Sequence, residues 1–178
     1  VIMEYPELNP DEYSRSYSSV WANNALGTGH ARSRLFSTQA WSPASNTAGQ
    51  WMKIDLGSSQ MIEGVVVMGR YDAYSQYVKT VRVYVSDTNS EEKDMGTYNT
   101  GLSGDRWRRA YLSFAKPLMG RYVRIEPTVW NSFPSMRAGV LVENRCVKEL
   151  DSLSASMLDP SLLALSPPPA ALRDDDDA

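Results

Sequence analysis

Short segments in which apolar and polar residues alternate recur between residues 50 and 142. In residues 50–57, Met52, Ile54 and Leu56 share one face and Lys53 and Asp55 take the other, as in a half-buried strand. Further candidate strands are residues 61–69, 77–86, 108–114, 121–126 and 136–142. Turn-forming residues bound each segment, and none has a long helical period. The pattern predicts an all-β sandwich or jelly roll.

The C-terminal part of the chain has a different composition. Residues 147–178 lack aromatic residues and carry three consecutive prolines, 167–169, and four consecutive aspartates, 174–177. Prolines favour extended polyproline structure, and adjacent aspartates repel one another and stay solvated. We therefore predict that residues 147–178 form a linker or a disordered tail.

Charge and composition exclude several classes of function. The 178-residue chain has a net charge of −3, and its C-terminal tail has two cationic and seven anionic residues, which leaves +2 for residues 1–146. A nucleic-acid interface needs a more strongly basic face. The chain has one His and one Cys, which excludes a multi-His or Cys-cluster zinc site. No apolar run reaches the roughly 18 residues of a membrane span.

Five segments follow one another in a recognisable order and spacing. They are Ser18–Trp21, Ala31–Leu35 with Ala40–Pro43, Gln50–Gly57 (QWMKIDLG), Val66–Arg70 with Gln76–Val78, and Gly120–Pro127 with Trp130 and Met136–Arg137. Together they resemble the coagulation factor 5/8 type C domain, also called the discoidin domain. The resemblance implies an eight-stranded antiparallel jelly-roll β-sandwich of the galactose-binding-like type. We expect a lead-in over residues 1–12, the domain over 13–146 and the tail over 147–178.

The resemblance also implies a disulfide. Members of the family usually join a Cys near the start of the domain to one after the last strand, and Cys146 stands where the second is expected. We expect its partner upstream of Val1, in a secreted or cell-surface parent protein. An unpaired Cys146 is the alternative. Sugar-binding relatives often hold a structural Ca²⁺ through backbone carbonyls, so the resemblance allows a calcium ion here, although no acidic calcium loop is present.

Three loops, residues 20–29, 42–49 and 70–76, correspond to the binding loops of the family. The candidate ligand-binding residues in them are Trp21, Asn23, Asn24, Asn46, Arg70, Tyr71, Asp72 and Tyr74. An exposed Trp21 can stack on a sugar, enter a bilayer interface or contact a protein partner. The guanidinium of Arg70 offers a planar set of hydrogen-bond donors for anionic groups or sugar hydroxyls. The alternatives are that Trp21 packs into the core and that Arg70 forms an internal ion pair with Asp72.

The function predicted first is non-catalytic: an extracellular recognition or adhesion domain that binds cell-surface glycans through these loops. Anionic phospholipid binding by the same loops is the alternative, with Trp21 and Tyr74 as apolar spikes. A structural or protein-interaction module is a third hypothesis. The sugar-binding pattern of the fucose lectins is incomplete, because Ser45 and Asn46 stand where a His is expected and Tyr77 stands where a final basic residue is expected. A glycosidase is disfavoured, since no pair of acidic residues stands out.

Overall fold

The computed structural model describes residues 6–143, which form seven β-strands and two single-turn 3-10 helices. The strands are β1 (Glu7–Leu8), β2 (Arg15–Tyr17), β3 (Met52–Met68), β4 (Tyr77–Ser86), β5 (Lys93–Asn99), β6 (Ala110–Asn131) and β7 (Arg137–Val142). The 3-10 helices are Glu12–Ser14 and Trp21–Asn23. All strand pairings are antiparallel. The prediction of an all-β jelly-roll sandwich is confirmed.

The two longest strands, β3 and β6, each contribute to both layers of the sandwich. The first part of β3 pairs with β2 and with the second part of β6, which in turn pairs with β4. After a register shift between Asp55 and Gln60, β3 pairs with the first part of β6 and, from Ile62 onward, with β7. A second register shift lies between Ile62 and Gly64. Such irregularities bend a strand, so β3 and β6 each change layers without a break. The structure thus has seven continuous strands where eight were expected.

The core lies between the layers, and a smaller apolar cluster lies outside it. Val65 and Val67 of β3 pack in the main core. Val66 and Met68 point the other way and pack against Leu35 of the loop that covers this face. Both faces of this stretch are therefore buried, which explains its uninterrupted apolar sequence.

Strand boundaries follow the predictions where β-branched residues dominate and depart from them elsewhere. Strand β4 has the predicted bounds, 77–86. The segments 50–57 and 61–69 join in β3, and 108–114 and 121–126 join in β6. Strand β5 was not predicted because it is polar and, among the strands of residues 6–143, pairs only with β4 at the sheet edge.

Cys146, the disulfide predicted for it and the predicted tail 147–178 lie outside the described residues. Within residues 6–143, no helix is long and apolar enough to cross a membrane. The first strand, Glu7–Leu8, pairs with β7. Part of the predicted lead-in therefore belongs to the sheet.

Candidate functional site

Trp21 lies at the surface, on a turn with unusual backbone geometry. The turn Trp21–Asn23 contains Ala22 and Asn23 with φ angles of 55° and 49°. The Trp21 backbone N–H donates to the carbonyl of Ser42 at 2.9 Å, which joins the first candidate loop to the second. The indole is 47% exposed and does not enter the core. It meets the Phe133 ring edge-on, with centroids 5.6 Å apart and planes at 89°.

Arg70 is held by an ion pair within its own loop. Its Nε donates to Asp72 Oδ1 at 2.6 Å, and one terminal nitrogen donates to Asp72 Oδ2 at 3.2 Å. The other terminal nitrogen donates to Gln76 Oε1 at 2.9 Å. The hydrogen bond from Arg70 lowers the pKa of Asp72, so the carboxylate is charged at neutral pH. The ion pair considered from the sequence is therefore formed, and it leaves two of the five guanidinium N–H groups unused by these bonds.

His30 lies beside this ion pair and is bonded to Asn24. The Asn24 carboxamide oxygen accepts from the His30 backbone N–H at 2.8 Å and lies 3.0 Å from ring Nδ1. Burial and, to a lesser degree, the charge of Arg70 lower the pKa of His30, although Asp72 opposes this shift. A neutral ring that donates from Nδ1 to Asn24 keeps Nε2 as an acceptor.

These loops enclose a cavity of about 220 Å³. Its lining residues are Trp21, His30, Ser42, Arg70, Gln76 and Phe133. Ser135 connects two of its walls, because its hydroxyl lies 2.7 Å from the Ser42 hydroxyl and 2.9 Å from Gln76 Oε1. We call this space the Trp21 cavity. It has two aromatic rings and several fixed polar groups, the usual composition of a small-ligand site.

Trp21 and Arg70, two of the candidate residues, both line the Trp21 cavity, whereas His30, Gln76 and Phe133 line it without having been candidates. Phe133 lies on the loop between β6 and β7, far from the three predicted loops in sequence. His30 ends the first loop, and being the only histidine was its one signal. His30 and Arg70 nevertheless line the same cavity, although they come from different segments.

The other candidates are used differently. Asn23 is exposed on the turn. The Asn46 carboxamide accepts from Trp130 Nε1 at 2.7 Å and donates to the Ser132 carbonyl at 3.0 Å. Tyr71 and Tyr74 contact the guanidinium of Arg106, which lies 5.0 and 4.2 Å from their ring centroids. A ligand contact by Asn23, Asn46, Tyr71 or Tyr74 stays a prediction.

The described residues offer no side-chain cluster for a metal. Within residues 6–143, no group of three or more His, Cys, Asp or Glu residues is arranged to hold an ion. Backbone carbonyls are the remaining type of ligand for Ca²⁺. A structural calcium ion therefore stays a prediction.

The sequence profile of the F5/8 type C domain matches residues 14–140. The chain belongs to this family. Bovine (Bos taurus) lactadherin is 30% identical over 136 residues, which cover 71% of this chain and 32% of lactadherin. Chicken (Gallus gallus) neuropilin-1 is 28% identical over 145 residues, which cover 76% of this chain and 15% of neuropilin-1. The F5/8 type C chain thus spans a third or less of these relatives.

Solved structures show the same fold at low sequence identity. Discoidin II of Dictyostelium discoideum aligns with a TM-score of 0.55 and 16% identity, over 72% of this chain and 53% of discoidin II. The family 32 carbohydrate-binding module of NanJ from C. perfringens, in complex with galactose, aligns with a TM-score of 0.55 and 12% identity. That alignment covers 76% of this chain and 98% of the module.

Proposed function

We propose that this F5/8 type C domain is a non-catalytic, extracellular recognition domain that binds a cell-surface glycan in the Trp21 cavity. The observation that carries the proposal is the position of Trp21, half exposed and braced by Phe133, beside the polar groups of His30 and Arg70. The extracellular location rests on the family relationship.

The chemistry of the cavity suits a sugar ring. The apolar face of a sugar stacks on an indole, while its hydroxyls need donors and acceptors in fixed positions. His30 Nε2 supplies an acceptor, and the remaining N–H groups of Arg70 supply donors. The volume of about 220 Å³ is below the roughly 300 Å³ at which sites for drug-sized ligands begin, and it matches a terminal monosaccharide better than a long ligand.

Electrostatics favour a neutral sugar over an anionic headgroup. Arg70 is paired with Asp72, and the lowered pKa of His30 keeps its ring neutral, so these three groups bring no net charge to the cavity. An uncharged polar ligand does not need to displace Asp72 from the guanidinium. A fold neighbour solved with galactose indicates that this fold can carry a sugar site.

Anionic phospholipid binding is the second candidate, and the exposure of two aromatic side chains favours it. Trp21 is 47% exposed and Tyr74 is 49% exposed, each on one of the loops compared with the family's binding loops. Aromatic side chains of this kind partition into the bilayer interface. The net charge of +2 over residues 1–146 adds little attraction to an anionic surface.

The test compares glycan-array and liposome binding of the wild type with Trp21→Ala and Arg70→Gln. Trp107→Ala is the matched control, since it removes a still more exposed indole, 66% against 47% for Trp21, outside the Trp21 cavity. Loss of glycan signal in the Trp21 and Arg70 variants alone supports the proposal. Loss of binding to phosphatidylserine liposomes alone supports the lipid alternative. If neither changes, the chain acts as a structural or protein-interaction module and the proposal fails.

A further inference from the structure

A second cavity of about 220 Å³ lies between the loop that follows β3 and the loop that precedes β6. Its apolar surface comes from Leu35 and from Met68 of β3, which both belong to the smaller apolar cluster outside the main core. Three aromatic side chains, Phe36, Tyr71 and Trp107, complete the apolar lining. We call this space the Trp107 cavity.

The aromatic lining is unusually exposed. Phe36 is 76% exposed and Trp107 is 66% exposed. The Tyr71 ring meets Trp107 edge-on, with centroids 5.3 Å apart and planes at 86°. Large aromatic side chains are normally well buried, and adjacent exposed ones mark surfaces that contact another molecule. An apolar ligand that entered this cavity would cover the Phe36 and Trp107 rings.

Arg137 brings a buried positive charge to the same cavity. Its side chain is almost fully buried. Nε donates to the Gly69 carbonyl at 2.8 Å, and one terminal nitrogen donates to the carbonyls of Leu35 and Ser37 at 3.0 and 3.3 Å. The other terminal nitrogen donates to the Arg106 carbonyl. These bonds use four of the five N–H groups.

No carboxylate within residues 6–143 forms an ion pair with Arg137. Carbonyl dipoles stabilise the guanidinium only in part, and a buried charge without a counterion is costly. Arg109, the other cation of the cavity, differs because it is paired with Glu7 at 2.7 Å. Burial, with the nearby charge of Arg109, lowers the pKa of Arg137 to about 10. The cavity therefore has one positive charge that a bound anion would neutralise.

The size of the cavity sets the apolar part of the ligand. An apolar protein cavity of about 150 Å³ is large enough to take up benzene. The Trp107 cavity, at about 220 Å³, has room for one six-membered ring and a small polar group. Aromatic rings favour edge-on or offset contacts with other rings, and Phe36 and Trp107 supply such surfaces.

We propose that the Trp107 cavity binds an aromatic carboxylate, with the ring between Phe36 and Trp107 and the carboxylate at Arg137. Two sources have this chemistry: a free aromatic acid, and the C-terminal carboxylate of a peptide that ends in an aromatic residue. The proposal does not depend on glycan binding, because the Trp21 cavity has different lining residues.

The test measures the affinity of the full chain for N-acetylphenylalanine and for N-acetylphenylalanine amide by titration calorimetry. The two probes share the ring and differ in the charge. We expect the acid to bind at least about tenfold more tightly than the amide, since a hydrogen bond to a charged group contributes more than one to a neutral group. Equal affinities, or no binding of the acid, would overturn the proposal.

Variants locate the bound acid. Trp107→Ala and Phe36→Ala change exposed side chains, so we expect both to fold and to weaken binding of the acid, whereas Trp21→Ala leaves it unchanged. Loss of binding in Trp21→Ala alone would place the acid in the Trp21 cavity and overturn the proposal. A peptide ending in Phe separates the two sources. Tighter binding than N-acetylphenylalanine identifies a peptide terminus, and equal or weaker binding identifies a free acid.

Discussion

The carboxamide oxygen of Asn24 bonds to His30 twice, accepting from its backbone N–H at 2.8 Å and from ring Nδ1 at 3.0 Å. The contact closes the first loop on itself and orients the imidazole beside Arg70. It also leaves no room for a side chain at Gly29, where a Cβ atom would lie 2.3 Å from the Asn24 oxygen. Asn24, a candidate ligand-binding residue in the sequence, thus positions a neighbour.

Removing the Asn24 carboxamide should destabilise this loop. Asn24→Ala leaves the His30 backbone N–H without its partner, and we expect the free energy of unfolding to fall by about 1–2 kcal/mol in urea denaturation. Asn23→Asp is the matched control, because Asn23 is exposed and Asp tolerates its positive φ. The control should change stability by less than about 0.5 kcal/mol. Equal effects of the two variants would contradict the positioning role of Asn24.

The single histidine makes the electrostatics of the Trp21 cavity directly measurable. We expect an NMR titration to give His30 a pKa below its usual 6.5, because burial and Arg70 both disfavour the charged ring. Arg70→Gln should move this pKa upward, while Arg109→Gln, at the other cavity, should not. A pKa at or above 6.5 in the wild type would contradict the described balance, in which burial and Arg70 outweigh Asp72.

The same shift makes stability depend on pH. The pKa of His30 is lowered on folding, so below about pH 6.5 the unfolded chain binds more protons than the folded chain. The contribution of His30 to stability is therefore complete above pH 6.5 and declines as the pH falls through the folded-state pKa. His30→Gln should remove this part of the pH dependence of the free energy of unfolding, measured by urea denaturation. Carboxylates titrate at lower pH and do not contribute to it near pH 6.5.

Arg137 holds three loop segments together through backbone carbonyls. Arg137→Met would leave buried acceptors at Gly69 and Leu35 unpaired, and we expect a loss of stability of roughly 3 kcal/mol in chemical denaturation. Lys79→Met is the control, because Lys79 is an exposed cation on β4. It should stay within about 0.5 kcal/mol of the wild type. If Arg137→Met lost no more stability than the small change expected of the control, the Arg137 bonds would contribute little.

The fold could be predicted where the physical signal is local. Alternating β-branched residues predicted both ends of β4 correctly, because apolar side chains face the core and polar side chains face solvent in turn along the strand. The polar strand β5 gave no such signal, since an edge strand depends on backbone pairing with its neighbour. The joining of two segments into β3 was also not readable, because Gly57 and its serine neighbours are typical of a turn.

The site was predictable only in part, for a similar reason. Trp21 and Arg70 stood out as unusual residues in loops that match the family. The carboxamide bonds of Asn46 with Trp130 and Ser132 join segments more than 80 residues apart, and no local pattern reports such contacts. The same holds for Phe133, whose contact with Trp21 exists only after the loops are brought together.

Phe133 should therefore affect ligand binding through Trp21. In Phe133→Ala the indole loses its edge-on partner. Since such pairs contribute about 0.5–1.5 kcal/mol, we expect glycan affinity to fall roughly two- to twelvefold. The Trp21 indole N–H resonance should shift in the NMR spectrum, which a purely global loss of stability would not cause. Phe36→Ala, at the Trp107 cavity, is the control and should leave both unchanged. If Phe133→Ala moves neither the resonance nor the affinity while Trp21→Ala abolishes binding, Phe133 does not position the indole.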